Sequence, residues 1–282
     1  AVNISAAANV ILDSVTISNS ASLTLTTTAT LIKDSKISIT PGITIGSTSR
    51  ILNTLFNSSA ATLASTAVSN SAAIFIFEDC QFDGSNGGQS ITINCATQLL
   101  GCIFSNLTLS SGAIVNPSSG TGYTTSVKNG YFTNITLSGT GKIITGSQTR
   151  PSELINSRFD SVTFGTAETI TATEVFGNTF NAAGAGPVVG LVGFEARVVK
   201  NSDIGVVQYS SVSGTNVINE ISDNIFTGTT LGFNINDNVG VSSSAKKLII
   251  SNNILPNKIL LTANSKNSAI LSNVFTGTTG ID

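Results

Sequence analysis

The chain has 282 residues, 40% of them hydrophobic and only 10% charged, with 13 Lys and Arg against 15 Asp and Glu and no histidine. That length permits two domains, while a net charge of −2 gives no electrostatic basis for binding nucleic acid. Without His, this chain cannot build a Ser-His-Asp or Cys-His nucleophile or an imidazole base, and no apolar run approaches the roughly 18 residues of a membrane helix.

Reading from the N-terminus, one short phrase returns twelve times: an apolar residue, Asn, Asp or Gly two positions on, a small residue next, and usually Phe two further. Leu154-Ile155-Asn156-Ser157-Arg158-Phe159 and Ile221-Ser222-Asp223-Asn224-Ile225-Phe226 are examples. Taking its last residue as an anchor gives Thr16, Ile37, Phe56, Phe82, Phe104, Phe132, Phe159, Phe180, Ile204, Phe226, Leu255 and Phe275. Thr16 to Phe275 spans 259 residues in eleven intervals, about 23.5 each. Five residues before the anchors stand Ile11, Ile32, Ile51, Phe77, Leu99, Val127, Leu154, Val175, Val199, Ile221, Ile250 and Ile270, all large and apolar. Self-similarity at this period predicts a solenoid in which each coil buries its apolar face on the next.

Two residues before each anchor is a small column, from Ser14, Ser35 and Thr54 through Cys80, Cys102 and Gly130 to Asn224, Asn253 and Asn273. Alternation along a strand points this column inward with the anchor. Inside a core an amide is tolerated only when paired, so Asn224, Asn253 and Asn273 are expected to form a ladder. The Asn, Asp and Gly residues just ahead suit a left-handed bend. After the anchor several coils run on as a second strand, as in Phe104-Ser105-Asn106-Leu107-Thr108-Leu109 and Phe132-Thr133-Asn134-Ile135-Thr136-Leu137.

Coils of this length, with short strands and no helical periodicity, resemble the right-handed parallel β-helix of the pectate-lyase-like superfamily. The expected architecture is therefore all-β: a right-handed parallel β-helix of about twelve coils, residues 1–282 forming a single domain roughly 55–60 Å long. The resemblance covers the fold alone. The polygalacturonase branch implies an aspartate pair and a Gly-His-Gly signature, and both are missing. The pectate-lyase branch implies clustered aspartates for calcium and an arginine base, whereas Arg50, Arg150, Arg158 and Arg197 and the Asp residues here are scattered.

Cys80 and Cys102 occupy one column on adjacent coils, within disulfide reach at a strand spacing of about 4.8 Å; a buried pair of free thiols is the alternative. A zinc site would need a carboxylate as fourth ligand, since the three thiols have no histidine beside them. Glu153 and Glu174 stand at the same place on successive coils, with Arg197 one position off and Glu220 back in the column. Glu78, Asp79 and Asp83 form a second acidic group around one bend. Both groups suit a solvated charged face, so no catalytic residue, cofactor or metal ligand is assigned.

Surface contact remains. One residue before the anchor the side chain points outward, and Ile225, Ile254 and Val274 there form an apolar stripe on consecutive coils, the kind of feature that marks an interface. The longer intervals Ser111–Tyr123 and Gly139–Pro151 are expected to place two loops side by side, presenting Tyr123, Lys142 and Arg150 as a contact site. A start at Ala1 with no Met anywhere fits a processed or excised product, and matches to the N-glycosylation pattern such as Asn106-Leu107-Thr108 fit an extracellular or cell-surface location. Neither end reads as a cap, so the terminal coils are expected to pair with further chain or with neighbouring subunits. The expected function is a non-enzymatic adhesin, fibre or filament subunit that self-associates as a homo-oligomer or filament, with a glycan or cell-surface partner and no membrane insertion. The alternative is a carbohydrate-active enzyme or glycan-binding module.

Overall fold

The computed structural model describes residues 2–5, 9–20, 23–26, 29–39, 42–45, 49–57, 62–65, 75–84, 92–94, 97–116, 124–146, 151–182, 184–192, 195–209, 218–227, 234–237, 247–261, 268–277 and 281. Among them every regular element is a strand. A first sheet of 12 strands runs from Val2–Ser5 to Ile259–Leu261, and a second of 12 runs from Val10–Asp13 to Ala269–Leu271. A third of 8 strands runs from Thr16–Ser20 to Thr179–Ala182, and a pair, Ile254–Leu255 with Val274–Phe275, continues it near the C-terminal end. Single bridges such as Thr179 to Ser202 and Ile225 to Ile254 join the two parts. Within a sheet each strand pairs in parallel with its counterpart one coil on. Parallel neighbours need a crossover, and such crossovers are right-handed. The chain is an all-β, right-handed parallel β-helix.

The repeat maps onto the second and third sheets. From Ile32 through Ile51, Phe77, Leu99, Val127, Leu154 and Val175 to Ile221 and Ile250, the predicted second-sheet column is buried to 1% exposure or less. The anchors line the facing wall. Phe56, Phe82, Phe104, Phe132 and Phe159 stack in one file with centroids 5.1, 4.9, 4.6 and 4.4 Å apart and planes within 9° of parallel. Such contacts add about 0.5–1.5 kcal/mol per pair beyond area burial. The first sheet closes the core with Leu23, Val115, Ile144, Ile170, Val189, Val207, Ile235 and Ile259.

Two coils depart from the expected register. In the first, Ile11 pairs with Leu31 and is 64% exposed, whereas Leu12 pairs with Ile32 and packs against the core. Ile17, not Thr16, pairs with Ile37, and Ser14 is a bend residue at φ 55° rather than a member of the inner column. A slip of one residue exchanges the two faces of a strand. In the ninth coil of the repeat, Val198 rather than Val199 pairs with Ile221, and Asn201 rather than Ser202 holds the inner polar position. Ile204 still bridges to Phe226. One extra residue therefore lies between Asn201 and Ile204, where Asp203 takes φ 61°.

The bends between second and third sheets follow one device. Asp34, Asn53, Asp79, Asn129, Asn156, Asp223 and Asn252 all have φ between 41° and 56°, a region open to Asn and Asp because their short side chains bond locally. Gly101 and Gly177 take this place at φ 64° and 67°. A Cβ there would meet Asp79 Oδ1 at 2.5 Å or Asn156 Oδ1 at 2.4 Å, so glycine gives those side chains room and adopts the left-handed bend without strain.

Candidate functional site

Just inside those bends runs the amide ladder, longer than the three rungs expected. Asn178, Asn201, Asn224, Asn253 and Asn273 stack on successive coils. Each Oδ1 accepts the backbone N–H and the Nδ2 of the preceding Asn, as at Asn201 Oδ1 with Asn178, both 2.9 Å. Each Nδ2 also reaches a carbonyl one coil back, such as Asn178 to Leu154 O at 2.9 Å. Ser157 extends the ladder by donating its backbone N–H to Asn178 Oδ1 at 2.8 Å. Asn178 was visible as a column member, but Asn201 was hidden by the extra residue in its coil.

At the other end of the chain, along the bends of the first coils, lies a groove of about 420 Å³. Ser14, Asp34, Asn53 and Asp79 line it from the bends, and Lys36, Leu55, Gln81 and Ile103 from the third sheet. Asn53 donates Nδ2 to Asp34 Oδ1 at 2.8 Å. Carboxylates and amides thus line one groove together with aliphatic side chains, an arrangement able to hydrogen-bond a polar ligand and pack its apolar face.

The outward row of Leu55, Gln81 and Ile103 continues through Tyr131, Arg158 and Thr179. Beyond the irregular coil at Ser202 and Asp203 it reaches Ile225, Ile254 and Val274, which are in register and 46%, 40% and 55% exposed. Leu271, across the bend from Val274, is 55% exposed. The apolar stripe is thus a real surface feature.

The charged groups are held in pairs. Glu153 and Glu174 are register partners, but Lys128 lies 3.5 Å from Glu153 and Arg197 bonds Glu174. Arg197 is not one position off: it registers with both Glu174 and Glu220, since the irregularity of its coil falls after the strand. Glu174 in turn raises the Arg197 guanidinium further. The acidic group around the early bend is dispersed, with Glu78 bound to Arg50 at 2.6 Å and Asp83 accepting from Asn57 and Asn106 at 3.0 and 2.7 Å. Among the described residues no three His, Cys, Asp or Glu side chains converge.

Lys142 does not protrude on a loop. It opens the strand Lys142–Ile144 of the first sheet, with Nζ 2.7 Å from both Glu168 Oε1 and Thr171 Oγ1. Ala113–Val115, in the other interval expected to be loop, is also a strand of that sheet. A short apolar run between long irregular stretches carries little periodicity, so these strands leave no clear signal in the sequence. Tyr123 and Arg150 lie outside the described residues. Cys80 and Cys102 are buried free thiols on adjacent coils, and Cys95 lies outside the described residues.

Comparison with protein-family models, with curated proteins and with solved structures finds no match.

Proposed function

We propose that this β-helix is a non-enzymatic structural or adhesive rod of the extracellular space or cell surface, self-associating as a homo-oligomer or filament. The observation that carries the proposal is the in-register row Ile225, Ile254 and Val274 on the outer surface. Full burial of such a side chain contributes about 1.5–3 kcal/mol, so three together favour a protein contact over permanent exposure to water. A chain rich in hydroxyls and amides with only 10% charged residues supports an extracellular setting. The likeness to the pectate-lyase-like superfamily is kept at the level of coil length and architecture.

Light scattering over a concentration series, with negative-stain microscopy, tests it. The parent chain is expected as a dimer or larger species, and Ile225→Ser/Ile254→Ser as a folded, smaller one. A parent that stays monomeric at the highest concentration, or a variant with unchanged assembly, refutes the proposal.

The bend groove favours a second reading, a glycan-binding module or carbohydrate-active enzyme, because Asp34 and Asp79 line it beside the outward row of Leu55, Gln81 and Ile103. Release of reducing ends or of ultraviolet-absorbing unsaturated products from pectin or alginate would establish that reading and displace the first. Asp34 and Asp79, which line the groove, would then be the first residues to replace, ahead of the ion-paired Glu153 and Glu174.

A further inference from the structure

Cys80 and Cys102 stand on adjacent coils at the position held elsewhere by Ser35, Thr54, Ser157 and the Asn ladder. Gln81 registers with Ile103 immediately after them, and the Ile103 N–H donates to Cys80 O at 2.8 Å. Both side chains are at most 1% exposed. Each thiol sits between two carbonyls, Cys80 Sγ 3.4 Å from both Ile51 O and Glu78 O, Cys102 Sγ 3.6 and 3.7 Å from Phe77 O and Leu100 O. Hydroxyls of the column bond the same kind of acceptor, as Thr54 does to Leu52 O at 2.8 Å. Among the described residues this is the one place where two rungs of the column can be joined covalently. In-register strands set the Cα atoms about 4.8 Å apart, within the disulfide range of roughly 4.4–6.8 Å.

The groove supplies the approach. Asp79 and Gln81, on either side of Cys80, line it, as do Ile103 beside Cys102 and Thr54 one coil before Cys80. Neither cysteine itself lines the groove, so a small reagent there reaches Cys80 as the bend at Asp79 opens.

We propose that Cys80 and Cys102 form a redox-active dithiol that closes to a disulfide joining two successive coils, with a low-molecular-weight disulfide entering by the bend groove as oxidant. The thiolate of Cys80 attacks one sulfur of the reagent RSSR, forming a mixed disulfide and releasing RS⁻, which takes up the proton lost by Cys80. Cys102 then loses its proton, attacks Cys80 Sγ and releases the second RS⁻, which leaves as RSH. Two protein S–H bonds and one reagent S–S bond are consumed; one protein S–S bond and two RSH form, so the protein gives up two electrons and the reagent gains them. Cys80 attacks first because Asp79 and Gln81, on both sides of it, line the groove, whereas beside Cys102 only Ile103 does.

The test incubates the reduced, folded chain with oxidised and reduced glutathione at graded ratios. Thiols are then counted after denaturation in acid, and peptides are mapped without reduction. The expected result is loss of two of the three thiols, a cross-linked peptide pair containing Cys80 and Cys102, a melting temperature above that of the reduced chain, and full reversal by excess dithiol. Cys95→Ser should behave like the parent. Cys102→Ser, which installs a residue the column accepts elsewhere, should stop at a glutathione adduct on Cys80. Retention of all three thiols at the most oxidising ratio, a bridge to Cys95, or an unmodified Cys80 in the Cys102→Ser chain would overturn the proposal.

Discussion

Asn201 is joined to Asn224 twice: its backbone N–H and its Nδ2 both donate to Asn224 Oδ1, each at 3.0 Å. With neither residue more than 2% exposed, water cannot replace these bonds, and each of the two Asn donates to the coils on both sides while accepting from the preceding one. Satisfied networks of this kind specify a register; broken ones are costly.

Removing one rung should therefore cost more than a typical hydrogen bond. Asn201→Ala leaves the Asn178 N–H without its acceptor and Asn224 Oδ1 with only the backbone donor of its two, and takes the Asn201 amide away from the Val175 carbonyl, while Asn178 Nδ2 keeps Leu154 O and Val199 O keeps the Gly177 N–H. Each orphaned buried group costs about 1–3 kcal/mol, so several kcal/mol should be lost in urea unfolding. Asn273→Ala, at the half-buried end of the ladder, is expected to lose clearly less. Equal losses would show that the ladder does not act as a connected unit.

The interior column makes a second quantitative case. Leu154 is fully buried between Val127 and Val175. Leu154→Ala should cost about 2–5 kcal/mol through lost burial and the cavity left behind. Leu154→Asp places an unpaired charge there and should prevent folding. A Leu154→Asp chain that melts like the parent would contradict the observed packing.

Why the sequence disclosed two sheets and concealed the third follows from the same residues. Between Leu154 and Phe159 the bend is constant, so apolar and small positions recur at fixed intervals on coil after coil. From Phe159 to Ile170, or from Phe226 to Ile235, the intervening chain varies in length, and the first-sheet residues lose their phase relative to the anchors. Asn201 was missed for a related reason, an extra residue in one coil. The stripe of Ile225, Ile254 and Val274 was legible because it belongs to the constant part. The groove was not, because concavity depends on how two sheets meet at the bends and leaves no periodic trace.

Protonation should leave stability untouched near neutrality and erode it in acid. The chain has no histidine, so the melting temperature is expected to be flat from about pH 5 to 8. Asn181 and Arg158, each 2.7 Å from Asp160, hold that carboxyl below the usual range, and Lys33 does the same to Asp13. Depressed carboxyls contribute stability that is complete above the unfolded value of about 3.9 and lost as pH falls through the lower folded value. Calorimetry should show the decline only on the acid side of that point, less steep in Asp160→Asn. A slope centred near pH 6.5 would be incompatible with these assignments.

The first coil offers a decisive test of register because neighbouring aliphatic residues face opposite ways. Ile11 is 64% exposed, while Leu12 registers with Ile32 and packs against the core. Had Thr16 been the anchor, the two roles would be exchanged. Ile11→Ser removes apolar surface already in water and should change stability by no more than about 0.5 kcal/mol. Leu12→Ser takes a half-buried side chain out of the core edge and should cost about 1 kcal/mol or more. Chemical denaturation of both variants under identical conditions measures the difference directly. A larger loss for Ile11→Ser than for Leu12→Ser would restore the original register and move Leu12, Val15 and Ile17 off the inner face together.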